Sequence, residues 1–255
     1  MNQDMIDVAQ QDGIAVLTMR HGKANALDVE FCEAIAASFD AMRNTDTRAV
    51  VITGQGKIFS AGVDLVRLSA GGPDYVRTFL PALHKLYDAV FFFPKPVVAA
   101  VNGHAIAGGC VLAACADRKI IGRDGGRVGI TELLVGVPFP ALAFEVMRSV
   151  VPNRFFPDAV LSGATYPPEA AVERGMIDEI VQPAALMDRA MAVAKTLAAL
   201  SPEAVALTKH QLRQPVTERL ERDGARIDAA ATEIWANADT LARIRDYVAK
   251  TLKKA

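Results

Sequence analysis

The stretch Ala100-Val101-Asn102-Gly103-His104-Ala105-Ile106-Ala107-Gly108-Gly109-Cys110-Val111-Leu112 decides how the rest of the chain is read. The apolar run Val97 to Val101 enters it from Pro94-Lys95-Pro96 and reads as a short buried strand. Beyond Gly108-Gly109 the residues read as a helix to Ala116. A Gly-rich turn that opens a helix leaves backbone N–H groups without intrahelical partners, at the positive end of the helix dipole. Such groups can hold a developing oxyanion without reorganising during a reaction. A second turn of this kind, Phe59-Ser60-Ala61-Gly62-Val63-Asp64-Leu65, lies beyond the strand-like run Arg48 to Thr53 and its end at Gly54. Taken singly, each turn equally suits plain tight packing between a strand and a helix.

Working outward, Gly13 to Met19 reads as a strand paired with Met5 to Ala9 across Gln10-Gln11-Asp12-Gly13. Asp28 is placed to cap a helix whose buried stripe is Phe31, Ile35, Phe39 and Met42. Ala70-Gly71-Gly72-Pro73 reads as a flexible link, with a helix over Tyr75 to Ala89, and Ala141 to Val150 reads as another helix. Strands alternating with helices argue for a parallel sheet with crossover helices. From about Asp188 the pattern turns helical, and the division is set at Ser201-Pro202: residues 1–200 as the core, 201–255 as a helical region. Stripes at Ile227, Ile234 and Trp235, and at Leu241, Ile244, Val248 and Leu252, must cover either their own core or another subunit.

The 255 residues suffice for one large domain; 51% are hydrophobic and 22% charged, an ordinary globular balance. The net charge of −1 supplies no global field toward nucleic acid or anionic lipid, so neither is expected as a partner. Met1 to Asp12 carries neither a basic nor an apolar signal region, and no apolar run reaches the roughly 18–20 residues of a membrane span. A cytoplasmic location is the expectation. Cys32, Cys110 and Cys115 are odd in number and lack metal-ligand spacing, which fits buried reduced thiols and no bound metal. Neither a dinucleotide fingerprint nor a P-loop is present.

Together the two turns and Lys95-Pro96-Val97-Val98-Ala99-Ala100-Val101-Asn102-Gly103 resemble the pattern of the crotonase (enoyl-CoA hydratase/isomerase) superfamily. The likeness runs from Ala24-Asn25-Ala26-Leu27 to Gly175-Met176-Ile177-Asp178-Glu179-Ile180-Val181. It implies an α/β crotonase (ClpP/crotonase-like) spiral of ββα units with helices used in assembly, usually as homotrimers or hexamers. It implies an acyl-CoA thioester as substrate, with coenzyme A part of that substrate and no separate cofactor. The family's two oxyanion donors map onto the backbone amides of Val63 and Gly108. Ala24, Ala26 and Ala61 map onto the region that holds the nucleotide end of CoA. Arg67 is a candidate for its phosphates, and Asp64, Gly109, Val111 and Phe139 complete the expected substrate contacts.

The acids then decide the reaction class. Hydratases of this superfamily carry a catalytic Glu two residues after the last Gly of the Gly-Gly motif, and here that position is Val111. Glu132, a lone charge in Gly129-Ile130-Thr131-Glu132-Leu133-Leu134-Val135-Gly136, falls on the family's second carboxylate. Without the resemblance it reads as an ordinary helix-start acid. Hydration needs one group to activate water and another to protonate carbon; moving a double bond from C3 to C2 needs one carboxylate. Mitochondrial-type Δ3,Δ2-enoyl-CoA isomerases have an apolar residue at the Val111 position and a short loop like Gly136-Val137-Pro138-Phe139-Pro140. The resemblance therefore implies an isomerase of fatty-acid metabolism. A hydratase (a lyase of β-oxidation) and a non-catalytic acyl-CoA binder remain open. Glu145 is a possible second acid, Asp117 a structural one, and His104 a loop residue that could reach the pocket. His21, His84 and His210 have no supporting context.

Overall fold

The computed structural model describes residues 5–251, so Leu252 of the last stripe and Met1 to Asp4 of the N-terminal segment lie outside the described residues. Strands β1 (Ile6–Gln11) and β2 (Ile14–Met19) pair antiparallel with Gln11 opposite Ile14. The turn is thus only Asp12-Gly13, at φ 53° and 75°. Positive φ at both positions is the two-residue hairpin geometry that Asp-Gly favours. The expected four-residue connection is shorter by two, because β1 runs on to Gln11.

From β2 the sheet continues parallel through β3 (Ala49–Gly54), β5 (Val97–Val101), β7 (Arg118–Gly122) and β9 (Glu179–Val181). A smaller parallel sheet holds β4 (Ile58–Ser60), β6 (His104–Ile106) and β8 (Val128–Gly129). The three central steps, starting at β3, β5 and β7, each send one strand to each sheet and then a helix, whereas β1 and β2 both lie in the larger sheet. The helices are α1 (Val29–Arg43), α2 (Leu65–Phe91), α3 (Gly108–Ala114) and α4 (Ala141–Val150), followed by α5 (Phe156–Ser162) and α6 (Pro168–Glu173). Central strands β3 and β5 are buried throughout because both faces are covered. Val50 and Ile52 face the main core with Phe31, Phe39 and Leu83, while Ala49 and Val51 face α7 (Leu186–Ala198) through Leu186, Ala190 and Ala194.

Helix α1 begins as expected: Asp28 accepts from the Phe31 amide at 2.8 Å, and Phe31, Ile35, Phe39 and Met42 are buried. Helix α2 differs. It starts at Leu65, ten residues before the expected Tyr75, and bends at Gly72, whose φ 66° and ψ −157° are not helical. The Gly-Gly-Pro segment is therefore a kink inside a helix. Asp64 caps its first turn by accepting from the Arg67 amide at 2.9 Å.

Ser201 caps α8 (Pro202–Arg219), and a π turn at Leu220–Gly224 leads into α9 (Ala225–Ala236) and α10 (Ala238–Thr251). Buried Lys209 and Arg213 tie α8 to the sheet. Asp117 accepts from Lys209 Nζ at 2.6 Å, Arg213 Nη2 at 2.8 Å and the Val97 amide at 2.7 Å. Removing one partner of such a cluster strands buried charge. Asp117→Ala is expected to cost about 3–5 kcal/mol in urea denaturation; an unchanged midpoint would show that the cluster is not holding α8.

The apolar stripe of α10 is covered by its own chain: Leu241 and Ile244 are buried, with Trp235 of α9 beside them. It does not by itself call for another subunit. Ile234 remains 46% exposed. No single helix among the described residues is long and apolar enough to cross a membrane.

Candidate active site

Two loops meet at the rim of the small sheet. In the first, Asn25 adopts φ 46° and is buried. Its side-chain amide donates to the carbonyls of Ile58 and Phe59 at 3.2 and 3.1 Å, and its Oδ1 accepts from the His21 amide. Ser60 Oγ donates to the Asn25 carbonyl at 2.8 Å, and the Ala61 amide donates to the Ala24 carbonyl at 2.9 Å. These bonds lash Ala24-Asn25-Ala26-Leu27 to the end of β4. They use backbone groups and the Asn25 and Ser60 side chains, so apolar Ala24 and Ala26 are left to line the space between.

The Leu27 amide donates to the Gly62 carbonyl at 2.8 Å, and the Leu27 carbonyl accepts from the Asp64 amide at 2.9 Å. In such a parallel bridge the residue between the two bonded positions points its own N–H the other way. That residue is Val63, and its N–H has no acceptor among the described residues. Gly62 makes the bend possible at φ +83°; a Cβ there would sit 2.6 Å from the Ile106 carbonyl oxygen and 3.1 Å from the Gly108 nitrogen. The two turns are thus pressed together. Beyond Ala107, Gly108 opens α3, and its N–H likewise has no acceptor among the described residues.

A cavity of about 250 Å³ lies against these loops. Ala24, Ala26, Ala61, Val63 and Asp64 line one side, Ile106 and Ala107 the second, and Thr131, Glu132, Val135 and Val137 the third. Glu132 reaches it because β8 ends at Gly129 and a 3-10 turn, Glu132–Val135, follows at once and closes at Gly136 (φ +81°). Its carboxyl is only 7% exposed, and Oε2 has no hydrogen-bond partner among the described residues. Burial among apolar side chains raises its pKa to about 7; backbone amides at Glu132 and Thr131 pull weakly the other way. A carboxyl near neutrality with one free oxygen in a closed apolar cavity is suited to taking and returning a proton.

The remaining sequence candidates fall elsewhere. Arg67 is committed to acids: Nη1 donates to Asp28 at 2.9 Å and Nη2 to Glu30 at 2.6 Å, with the guanidinium 5.3 Å over the Tyr75 ring. It does not line the cavity, and both of its terminal nitrogens are held by carboxylates where a phosphate contact was expected. Gly109 packs on Ser60, whose carbonyl oxygen would lie 2.3 Å from a Cβ there, and Val111 is wholly buried in the main core. Neither lines the cavity, nor does Gly108, which is buried next to the lining residue Ala107. Phe139 and Glu145 line a separate cavity, where Glu145 pairs with Arg148 and Arg219 at 3.5 and 3.4 Å. Glu145 is therefore not a second acid of this site. Asp64 lines the cavity with its carboxylate engaged as a helix cap. His104 is exposed, and its Nδ1 accepts from the Arg127 amide. The described residues contain no His, Cys, Asp or Glu cluster able to hold a metal ion.

Sequence reasoning missed the opposite wall. Trp235 of α9, with Nε1 donating to the Pro138 carbonyl at 2.8 Å, and Tyr247 and Thr251 of α10 close the cavity. The C-terminal helices, expected to serve assembly, belong to the site. Their apolar faces are legible in the residue pattern, but what those faces cover is not.

The α/β spiral, with the free Val63 amide and the buried Glu132 carboxyl on one cavity, has the architecture of the crotonase class. Family comparison agrees: residues 9–248 match the family described as enoyl-CoA hydratase/isomerase, and the chain belongs to that family. It is similar to a putative enoyl-CoA hydratase of Thermus thermophilus, 34% identical over 84% of each chain. It is similar to an enoyl-CoA isomerase structure from Mycobacterium tuberculosis at 32% identity and TM-score 0.81, covering 89% of this chain and 99% of that one. The fold also matches human mitochondrial Δ3,Δ2-enoyl-CoA isomerase with TM-score 0.92, at 23% identity over 98% and 99% of the two chains. The names of these relatives divide between hydratase and isomerase.

Proposed function

We propose that this chain is an enoyl-CoA isomerase that moves the double bond of a 3-enoyl-CoA to the 2-position. The observation that carries the reading is Glu132: a single buried carboxyl with a free oxygen in the cavity, and no second uncommitted carboxyl lining it among the described residues. In this reading Glu132 takes a proton from C2, and the C2–H electron pair moves into the conjugated dienolate. The thioester oxygen carries the charge, held by the Val63 and Gly108 amides. The C3–C4 π pair then takes the proton at C4 from Glu132 as the C2–C3 double bond forms, so atoms and charge balance. Burial near pKa 7 keeps the carboxyl ready for both halves of the transfer.

The hydratase reading is favoured by the name of the Thermus thermophilus relative. It requires a second proton-transfer group, and Val111 and the paired Glu145 do not supply one. Incubation with matched 2-enoyl-, 3-enoyl- and 3-hydroxyacyl-CoA, with products identified by NMR, separates the readings. The expected outcome is interconversion of the two enoyl esters with little 3-hydroxy ester. Hydration of crotonyl-CoA at a kcat of roughly 10 per second would overturn it, and tight ester binding without turnover would leave an acyl-CoA binder.

A further inference from the structure

The cavity has a mouth and a floor. Of its lining residues, Ala61, Val66 and Thr251 are exposed, whereas Glu132, Val135, Val137 and Trp235 are buried. A CoA ester enters among the first three and leaves its long polar arm outside. With the thioester oxygen at half-buried Val63 and Glu132 serving C2 and C4, the chain beyond C4 runs on toward Val135, Val137 and Trp235. These side chains suit an apolar tail, and they close the space: Val137 and Trp235 are each 1% exposed. The whole cavity, about 250 Å³, falls below the roughly 300–1,000 Å³ of pockets that enclose drug-sized ligands. Part of it is taken by the thioester itself.

The largest side chain of that floor is pinned. Trp235 donates from Nε1 to the Pro138 carbonyl at 2.8 Å, and moving the indole away would leave a buried N–H unpaired. Earlier on the same helix, Asp228 accepts from the Ala141 amide at 2.7 Å. Helix α9 thus holds both ends of the segment Pro138 to Ala141, which follows Val137 directly. Pro138 also lines the separate cavity, of about 400 Å³, together with Leu133 and Phe139. The indole and the proline bonded to it therefore stand between the two spaces, and trimming the indole frees room on that side.

We infer that Trp235 sets the acyl length this site accepts: its indole, fixed on Pro138, is the floor against which the chain ends, and the substrates are short-chain enoyl-CoA esters. This rests on the reading of the cavity as an acyl-CoA site. Trp235 meets the end of the acyl chain and takes no part in proton transfer.

Trp235 is the protein's only tryptophan, so its emission reports the floor directly. Acetyl-, hexanoyl- and dodecanoyl-CoA, which bind but do not react, are titrated into the whole protein with free CoA as control. Hexanoyl-CoA is expected to shift the emission and acetyl-CoA to leave it unchanged. In turnover, wild type is expected to favour 3-hexenoyl- over 3-dodecenoyl-CoA by at least about 100-fold in kcat/KM, since a single methylene in an apolar pocket is worth about 10–200-fold. Trp235→Phe is expected to raise the ratio of dodecenoyl to hexenoyl turnover about ten-fold. A tryptophan that merely held the fold would lower both rates together and leave the ratio alone. If Trp235→Phe does not fold, Val137→Ala enlarges the same floor with the indole bond in place and must raise the ratio. An unchanged ratio in the folded variant, or a wild type that accepts both chain lengths equally, would overturn the role of Trp235. Turnover of neither 3-enoyl ester, with the hexanoyl shift intact, would instead overturn the isomerase reading and leave the floor standing. Binding of no ester at all would overturn the acyl-CoA site and the floor with it.

Discussion

Glu132→Gln is expected to lower kcat for 3-enoyl-CoA isomerisation by about 10²–10⁴-fold, the contribution of a positioned general acid–base group, while the affinity for a saturated acyl-CoA stays unchanged. The amide keeps the shape of the side chain and removes the proton. In wild type kcat/KM is expected to rise with pH through about 7, because the base must be ionised and burial has raised its pKa to that value. Stability runs the opposite way. The folded pKa of about 7 lies above the ordinary 4.5, so the folded chain holds more protons than the unfolded one between those values. Stability therefore falls as pH rises through that window, and the ionised carboxyl costs about 3 kcal/mol above it. Relative to wild type, the Gln variant is expected to gain about 2–3 kcal/mol between pH 5 and pH 8, or about 5–10 °C in Tm. A pH-independent Tm difference would show that Glu132 is not held in a desolvated site.

Gly62→Ala is expected to damage both fold and function. The residue sits at φ +83°, and its Cβ would lie 2.6 Å from the Ile106 carbonyl oxygen, which is backbone and cannot swing aside. Left-handed strain and overpacking together are expected to cost about 2–4 kcal/mol. The next amide is Val63, and moving the bend moves that donor, so kcat is expected to fall by about 100-fold in protein that remains folded. Wild-type turnover in this variant would remove Val63 from the mechanism. Comparing it with Glu132→Gln also separates two failures: the Gln variant keeps carbonyl polarisation and loses proton transfer, whereas the Ala variant loses both.

Much of this arrangement was legible in the chain. Val97 to Val101 forms the strand read from it, and Asp28 caps the helix read from it, because both signals are local. The two glycine turns were legible because a side chain at Gly62 or Gly109 would run into backbone, at the Ile106 and Ser60 carbonyl oxygens. Partnership was not. Arg67 looked free because nothing in sequence places Asp28 and Glu30, 39 and 37 residues away, against it. Glu145 looked available until Arg219 was found beside it from the C-terminal region. Trp235 showed apolar character without showing that the surface it covers is the candidate site, and Tyr247 lies beside the stripe read on its helix. The start of α2 was missed because the Gly-Gly-Pro kink reads as a break, whereas the helix runs on across it.

The central claim is that one carboxyl, Glu132, carries a proton from C2 to C4. A 3-enoyl-CoA deuterated at C2, turned over in ordinary water and followed by NMR over single turnovers, tests it most directly. The account predicts that part of the label appears at C4 of the 2-enoyl product, because a carboxyl closed in by Val135, Val137 and Trp235 is shielded from bulk solvent during the transfer. It also predicts that this transfer vanishes in Glu132→Gln. No label at C4, together with full turnover by the Gln variant or formation of 3-hydroxyacyl-CoA, would contradict it.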